Sequence, residues 1–173
     1  MTRKYTAQCA CGAVKFEFNT DPDFIANCHC LDCKKASGGE MATFFAVPQD
    51  DFTLISGPPK AHRYIAESGK ALERNFCPDC GSRLFTSNLD SFPGLVFVML
   101  GSLDQPELIE PKLEMFTKRR LKWAKPAGPS AIRQHAELNV QLPFIRDFLS
   151  REVTQSWRVQ VRRDCRQFGN RSN

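Results

Sequence analysis

The sequence predicts a single, mainly β domain. Three features point to it: short apolar–polar alternations of period two, turn signals that interrupt them at close intervals, and three groups of cysteines spaced to bind metal. A length of 173 residues suits one hydrophobic core. The hydrophobic share of 42% and charged share of 25% are those of a globular chain, and 14 Phe against 2 Tyr and 2 Trp indicate an aromatic, dry interior.

Residues 13–18 alternate so that Val14, Phe16 and Phe18 share one strand face. Residues 19–22 read as a turn, and residues 24–27 as a short strand that delivers Cys28. Residues 31–36 fit one helical turn, ended by Ser37-Gly38-Gly39. Strands are then expected over 41–47, 52–55, 62–66 and 71–76, separated by Pro48-Gln49-Asp50, Gly57-Pro58-Pro59 and Glu67-Ser68-Gly69. Residues 83–87 form a further strand. The unbroken apolar run 95–100 is read as a strand buried on both faces, at the centre of the core. Residues 112–117 alternate again and meet the basic run Lys118-Arg119-Arg120-Leu121-Lys122-Trp123, read as a solvated loop with Leu121 and Trp123 packing inward. After a loop at 126–129, Phe144, Ile145, Phe148 and Leu149 fit a short C-terminal amphipathic helix begun by Pro143. Beyond Thr154 the sequence is Arg-rich without apolar periodicity. The domain is therefore assigned to residues 1–153 and a basic, poorly ordered tail to 154–173.

Six Arg against Glu152 and Asp164 give residues 151–173 a charge of +4, so only +1 of the net +5 lies on the body. That distribution disfavours a nucleic-acid partner except through the tail. The opening Met1-Thr2-Arg3-Lys4-Tyr5 lacks an apolar signal region, and no run approaches the ~20 apolar residues needed to span a bilayer. No membrane partner is expected, and the setting is read as reducing and cytoplasmic. In that setting the eight cysteines are not read as a disulfide scaffold, seven of them being read as metal ligands, and a redox reading of Cys77 and Cys80 is disfavoured because no strand-then-helix pattern frames them.

Cys28, Cys30 and Cys33 stand at i, i+2 and i+5, where three thiolates can turn on one ion and leave a fourth place open, the usual build of a catalytic zinc. The outer pairs, Cys9-Ala10-Cys11-Gly12 and Cys77-Pro78-Asp79-Cys80-Gly81, each end in a glycine able to take the left-handed conformation that points backbone N–H groups at a bound sulfur. Together they are read as a closed four-sulfur zinc site joining segments 66 residues apart. Spacing alone leaves open a pairing of Cys9 and Cys11 with two of the central cysteines. Two zinc ions per chain are expected.

Zinc on three thiolates carries one net negative charge, so it activates water weakly and suits a further sulfur as fourth ligand. That points to a thiol substrate. The added negative charge asks for cations, and Lys34 and Lys35 are the adjacent candidates for binding it, with Arg74 and Arg83 flanking the second knuckle. His29, between two ligands, is expected to hydrogen-bond nearby structure. His62 and His135 are read as structural or surface residues, Cys165 as a free thiol, and Asp32 or Glu40 as candidate proton carriers or plain surface groups.

In this order, Cys9-x-Cys11-Gly12, Cys28-His29-Cys30-x-x-Cys33 and Cys77-x-x-Cys80-Gly81 resemble the glutathione-dependent formaldehyde-activating enzyme family, which also includes centromere protein V. The likeness runs from about Cys9 to Pro129 and takes in Ala36-Ser37-Gly38 and the stretch 116–124. The resemblance implies a mainly β fold of small twisted antiparallel sheets, with a structural zinc on the outer pairs and a catalytic zinc on the central triplet. It also implies condensation of glutathione, as co-substrate, with formaldehyde to S-(hydroxymethyl)glutathione, a carbon–sulfur lyase reaction in reverse. A zinc-stabilised module that binds protein or nucleic acid is the alternative from another class. Such a module needs only closed metal sites, whereas the enzyme requires an open place at the triplet.

Overall fold

The computed structural model describes residues 4–125 and 130–132. Its strands are β1 (Tyr5–Gln8), β2 (Lys15–Phe18), β3 (Ile25–Cys28), β4 (Ala42–Pro48), β5 (Thr53–Ser56), β6 (Lys60–Ile65), β7 (Ala71–Phe76), β8 (Arg83–Ser87), β9 (Leu95–Met99), β10 (Leu113–Met115) and β11 (Ser130–Ile132), with one helix, α1 (Leu31–Ser37), between β3 and β4. The strands form a three-stranded sheet, β1-β2-β5, and an eight-stranded sheet, β11-β10-β3-β4-β9-β8-β7-β6. Among the described residues no helix is long and apolar enough to cross a membrane.

β9 lies between β4 and β8, and its side chains alternate between two cores. Val96 and Val98 join Phe16, Phe18, Phe45, Val47 and Leu84 in the core beneath the small sheet. Leu95, Phe97 and Met99 join Phe24, Phe44, Leu113 and Met115 in the other. That division explains the continuous apolar run: both faces of the central strand are covered. The phenylalanines pack as rings as well as hydrophobes, with Tyr5 stacked on Phe18 at 4.9 Å and Phe44 on Phe97 at 5.0 Å.

The large sheet is mixed. β10 runs parallel to both β3 and β11, with Glu114 opposite Asn27 and Met115 opposite Cys28. The long connection from β9 lets β10 enter alongside β3 in the same direction, which a tight hairpin forbids. β1 pairs with β2 and had no expectation attached to it. The inward packing expected of Leu121 and Trp123 is overturned, since they are 36% and 71% exposed. Phe116 takes a left-handed conformation (φ 57) and leads into a 3-10 turn over Thr117–Arg119, so the strand's in-out parity does not carry to residue 123. The expected C-terminal helix from Pro143 and the 154–173 tail lie outside the described residues.

Candidate metal centre

Two cysteine groups converge. The sulfurs of Cys9, Cys11, Cys77 and Cys80 all lie within 4.8 Å of one another, as do those of Cys28, Cys30 and Cys33. Contacts such as Cys9–Cys11 at 3.4 Å and Cys11–Cys77 at 3.7 Å are far longer than a disulfide of about 2.05 Å, and these thiols are free. They are close to the roughly 3.8 Å that separates sulfurs around a tetrahedral zinc, given Zn–S of about 2.3 Å. The all-sulfur donor set and its spacing therefore fit zinc in both places.

The quartet is built from two turns of different length, each closed by a left-handed glycine. Gly12 (φ 75) donates its N–H to the Cys9 carbonyl at 3.0 Å, and Gly81 (φ 73) donates to the Cys77 carbonyl at 3.0 Å. The left-handed glycines close each turn so that both of its cysteines face inward. Val14 N–H donates to Cys9 Sγ at 3.3 Å, and Ser82 Oγ lies 3.2 Å from Cys80 Sγ while accepting from Ala10 N–H. The Ser82 bond, first among several, draws the Cys80 thiol down to about 5. Cys11 is pushed up to about 12: the Ala13 backbone bond pulls it down, but the neighbouring Cys9 and Cys80 outweigh it.

In the triplet, Cys28 ends β3, Cys30 caps α1 with its sulfur accepting from Cys33 N–H at 3.3 Å, and Cys33 sits in the helix's first turn. One sulfur takes the available hydrogen bonds at the expense of the others. The Cys28 and Cys33 thiols, with the Cys33 and Asp32 backbone N–H groups, lower Cys30 to about 2. Cys28 is pushed well up by Cys30 and by burial. Cys33 is also pushed up, to about 12, with Cys28 drawing it down but Cys30 and burial outweighing that. The negative charge of the metal-free cluster therefore sits on Cys30, and a bound ion would take the protons from the other two.

Polar groups from distant segments surround it. Asp32 Oδ1 accepts from Tyr64 O–H at 2.5 Å and its Oδ2 from Glu67 N–H at 3.1 Å, which ties α1 to the β6–β7 hairpin. That bond to Asp32, first among the causes, raises the Tyr64 pKa, so the phenol stays a donor. The Arg74 guanidinium lies 4.1 Å over the Tyr64 ring and donates to the Asp32 carbonyl at 3.3 Å. Lys34 Nζ donates to the Arg119 carbonyl, while Arg119 pairs with Glu67 through both its terminal nitrogens.

His29, between Cys28 and Cys30, is sealed from solvent and turned away from the sulfurs. Its Nε2 lies 2.5 Å from Glu114 Oε2, Glu114 Oε1 accepts from Asn27 Nδ2 at 2.8 Å, and Asn27 Oδ1 accepts from Thr43 O–H at 2.7 Å. This line of polar groups runs across β10, β3 and β4 and fixes the strand end that presents the first sulfur.

The structure brings the seven cysteines together in two sets, the two glycine-ended pairs in one and the central triplet in the other. Lys34 is already engaged by a carbonyl, and Lys35 is exposed at the end of α1. Asp32 has both oxygens engaged, His62 is exposed beside Tyr64, and His135 and Cys165 fall outside the described residues. Glu114 and Tyr64 were not anticipated. The period-two pattern places Glu114 opposite Leu113 and Met115, where solvent is the natural expectation, and no local signal marks Tyr64.

Residues 4–119 match the profile of the family described as glutathione-dependent formaldehyde-activating enzyme. Two relatives bear that description as a provisional name. One, from Phaeosphaeria nodorum, is 30% identical over 112 residues, covering 62% of this chain and 58% of the relative. The other, from Talaromyces marneffei, is 27% identical over 134 residues, covering 75% of this chain and 71% of the relative. The chain thus spans little more than half the length of the first. A solved Rhodobacter sphaeroides protein, 16% identical, aligns over 73% of this chain and 99% of its own with a TM-score of 0.47.

Proposed function

The chain belongs to the glutathione-dependent formaldehyde-activating enzyme family, and from that membership we propose that it joins glutathione to formaldehyde at the Cys28, Cys30 and Cys33 centre, with Cys9, Cys11, Cys77 and Cys80 holding a structural zinc. The observation that carries this reading is the convergence of three sulfurs around a place that His29, the nearest imidazole in the sequence, does not fill: neither of its ring nitrogens joins the sulfur set, and its Nε2 is held by Glu114. A zinc ion bound by the triplet supplies a soft Lewis-acid site that favours the deprotonated sulfur of a thiol.

The reaction is an addition. A carbon–sulfur bond forms between glutathione and the formaldehyde carbon, the carbonyl π bond opens, and the thiol proton ends on the new hydroxyl oxygen. Nothing is oxidised or reduced, and the reverse direction is that of a carbon–sulfur lyase. The chain's part is to position and to compensate charge. α1 starts at Cys30 and Asp32 locks its first turn to Tyr64 and Glu67, so Cys30 and Cys33 are presented from a fixed turn rather than from a loose loop. With both carboxylate oxygens engaged, Asp32 acts here as an anchor rather than as a proton carrier. The two centres require reduced thiols, which fits a cytoplasmic setting.

Exchange spectroscopy on mixed glutathione and ¹³C-formaldehyde tests the proposal by measuring the rate of hemithioacetal formation directly. The wild-type protein should accelerate exchange and Cys30→Ser should not. A wild-type rate equal to the uncatalysed one would reject the enzyme and favour the non-catalytic zinc module.

A further inference from the structure

Arg83 is a guanidinium without an acceptor for most of its donors. Its Nη2 donates to Thr86 Oγ1 at 3.1 Å, but Nε and Nη1 are sealed from solvent and have no hydrogen-bond partner among the described residues. No carboxylate among the described residues pairs with it. Arg74 stands near it across the β7–β8 pair, where Arg74 is opposite Thr86, the residue that receives the Arg83 bond. Arg74 too has a buried Nε with no partner. Two neighbouring guanidiniums with orphaned, desolvated donors are unfavourable unless an anion faces them.

Arg74 Nη2 donates to the Asp32 carbonyl at 3.3 Å, in the first turn of α1, which sets the arginine pair beside Cys30 and Cys33, so the triplet sulfurs are the negative charges in its neighbourhood. Burial is the largest influence on its pKa and lowers it; Cys33, Cys28 and Cys30 act in the opposite sense, and Arg74 adds to the lowering. Other charged groups around the centre have partners of their own: Glu67 pairs with Arg119, Asp32 accepts from Tyr64 and from Glu67 N–H, and Lys34 donates to the Arg119 carbonyl. A divalent ion on three thiolates leaves one negative charge, while Arg74 and Arg83 bring two positive ones. The assembly is short of neutrality by one negative charge.

We propose that Arg83 and Arg74 form an anion-selecting pair that makes the triplet centre take a soft monoanion, a thiolate, in its fourth place in preference to a neutral ligand. This rests on the functional reading above and adds the residues that decide the charge of the ligand. Arg83 acts through space on the ligand's charge, so replacing it alters anion binding and leaves neutral ligands unaffected.

The test is a ligand titration of the full chain loaded with cobalt, read from the sulfur-to-metal bands, with thiocyanate as the small monoanion, glutathione as the thiol and imidazole as the neutral ligand. For Arg83→Met, affinity for thiocyanate and glutathione should fall about tenfold or more, as expected for losing one charge at an intermediate effective dielectric, while imidazole stays within about twofold. Arg83→Lys should restore most of the loss. Arg74→Gln should show the same selectivity with a smaller effect, because Arg74 is already engaged by the Asp32 carbonyl and the Tyr64 ring. Equal weakening of all three ligands, no weakening of either anion, or no thiocyanate binding to wild type would each overturn the proposal. Thiocyanate binding that depends on Arg83, with no response to glutathione, would support the arginine pair and reject the glutathione reading.

Discussion

Nε2 of His29 lies 2.5 Å from Oε2 of Glu114, with the two side chains 1% and 2% exposed. A buried pair of this kind is costly to break from one side, because the survivor is left without its partner in a site water does not reach. Since His29 is flanked by Cys28 and Cys30, the pair sets where the first two sulfurs of the triplet stand.

Glu114→Ala should therefore destabilise the protein by about 3–5 kcal/mol, measured by urea denaturation. Glu114→Gln, which keeps the shape and an acceptor, should fold and retain the quartet's metal while holding the triplet's metal more weakly in a chelator competition. Equal loss from both centres would mean that the pair supports the fold alone.

Cys80→Ser should abolish cooperative unfolding and lower solubility, because the quartet links the Cys9 turn to the Cys77 turn. Cys30→Ser should leave a folded domain with less bound zinc. Circular dichroism with metal analysis on both variants checks this. A normally folded Cys80→Ser protein retaining both metals would remove Cys80 from the structural site.

Asp51 accepts from the backbone N–H and side chain of both Asn19 and Thr20, at 2.6 to 3.0 Å. Burial raises its pKa, but the Thr20 and Asn19 bonds together outweigh that and hold it below the usual carboxylate value. A depressed folded pKa contributes stability that is present above the unfolded pKa of about 3.9 and is lost as pH falls through the folded value. Asp51→Ala should cost on the order of 1 kcal/mol at neutral pH. The gap from wild type should narrow in denaturation curves taken below about pH 4.

Phe18 is fully buried, stacked on Tyr5 and 5.5 Å from Phe45, at the contact between the two sheets. Phe18→Ala should cost about 3–5 kcal/mol, read as a lowered denaturation midpoint with both metals still bound.

Much of this was legible in the sequence because the relevant signals are local. Cysteine spacing, the glycines that close two turns and the Leu95 to Met99 run each state their structure within a few residues. What was not legible depends on which strands become neighbours. Glu114 lies in a strand whose alternation points it to solvent, yet β10 is an interior strand flanked by β3 and β11, so all three of its residues are buried. Tyr64 reaches Asp32 only because the β6–β7 hairpin folds toward α1. Trp123 was expected to pack inward from a solvated basic loop, but the chain turns at the left-handed Phe116 into a 3-10 turn and leaves it exposed.

The central claim is that the triplet has a place for the substrate's sulfur and the quartet does not. X-ray absorption at the zinc edge counts that sulfur directly on the fully loaded chain. The account predicts about 3.5 sulfurs per zinc on average, rising to about 4 when glutathione is added, with no rise in Cys30→Ser. An average that glutathione leaves unchanged would contradict it.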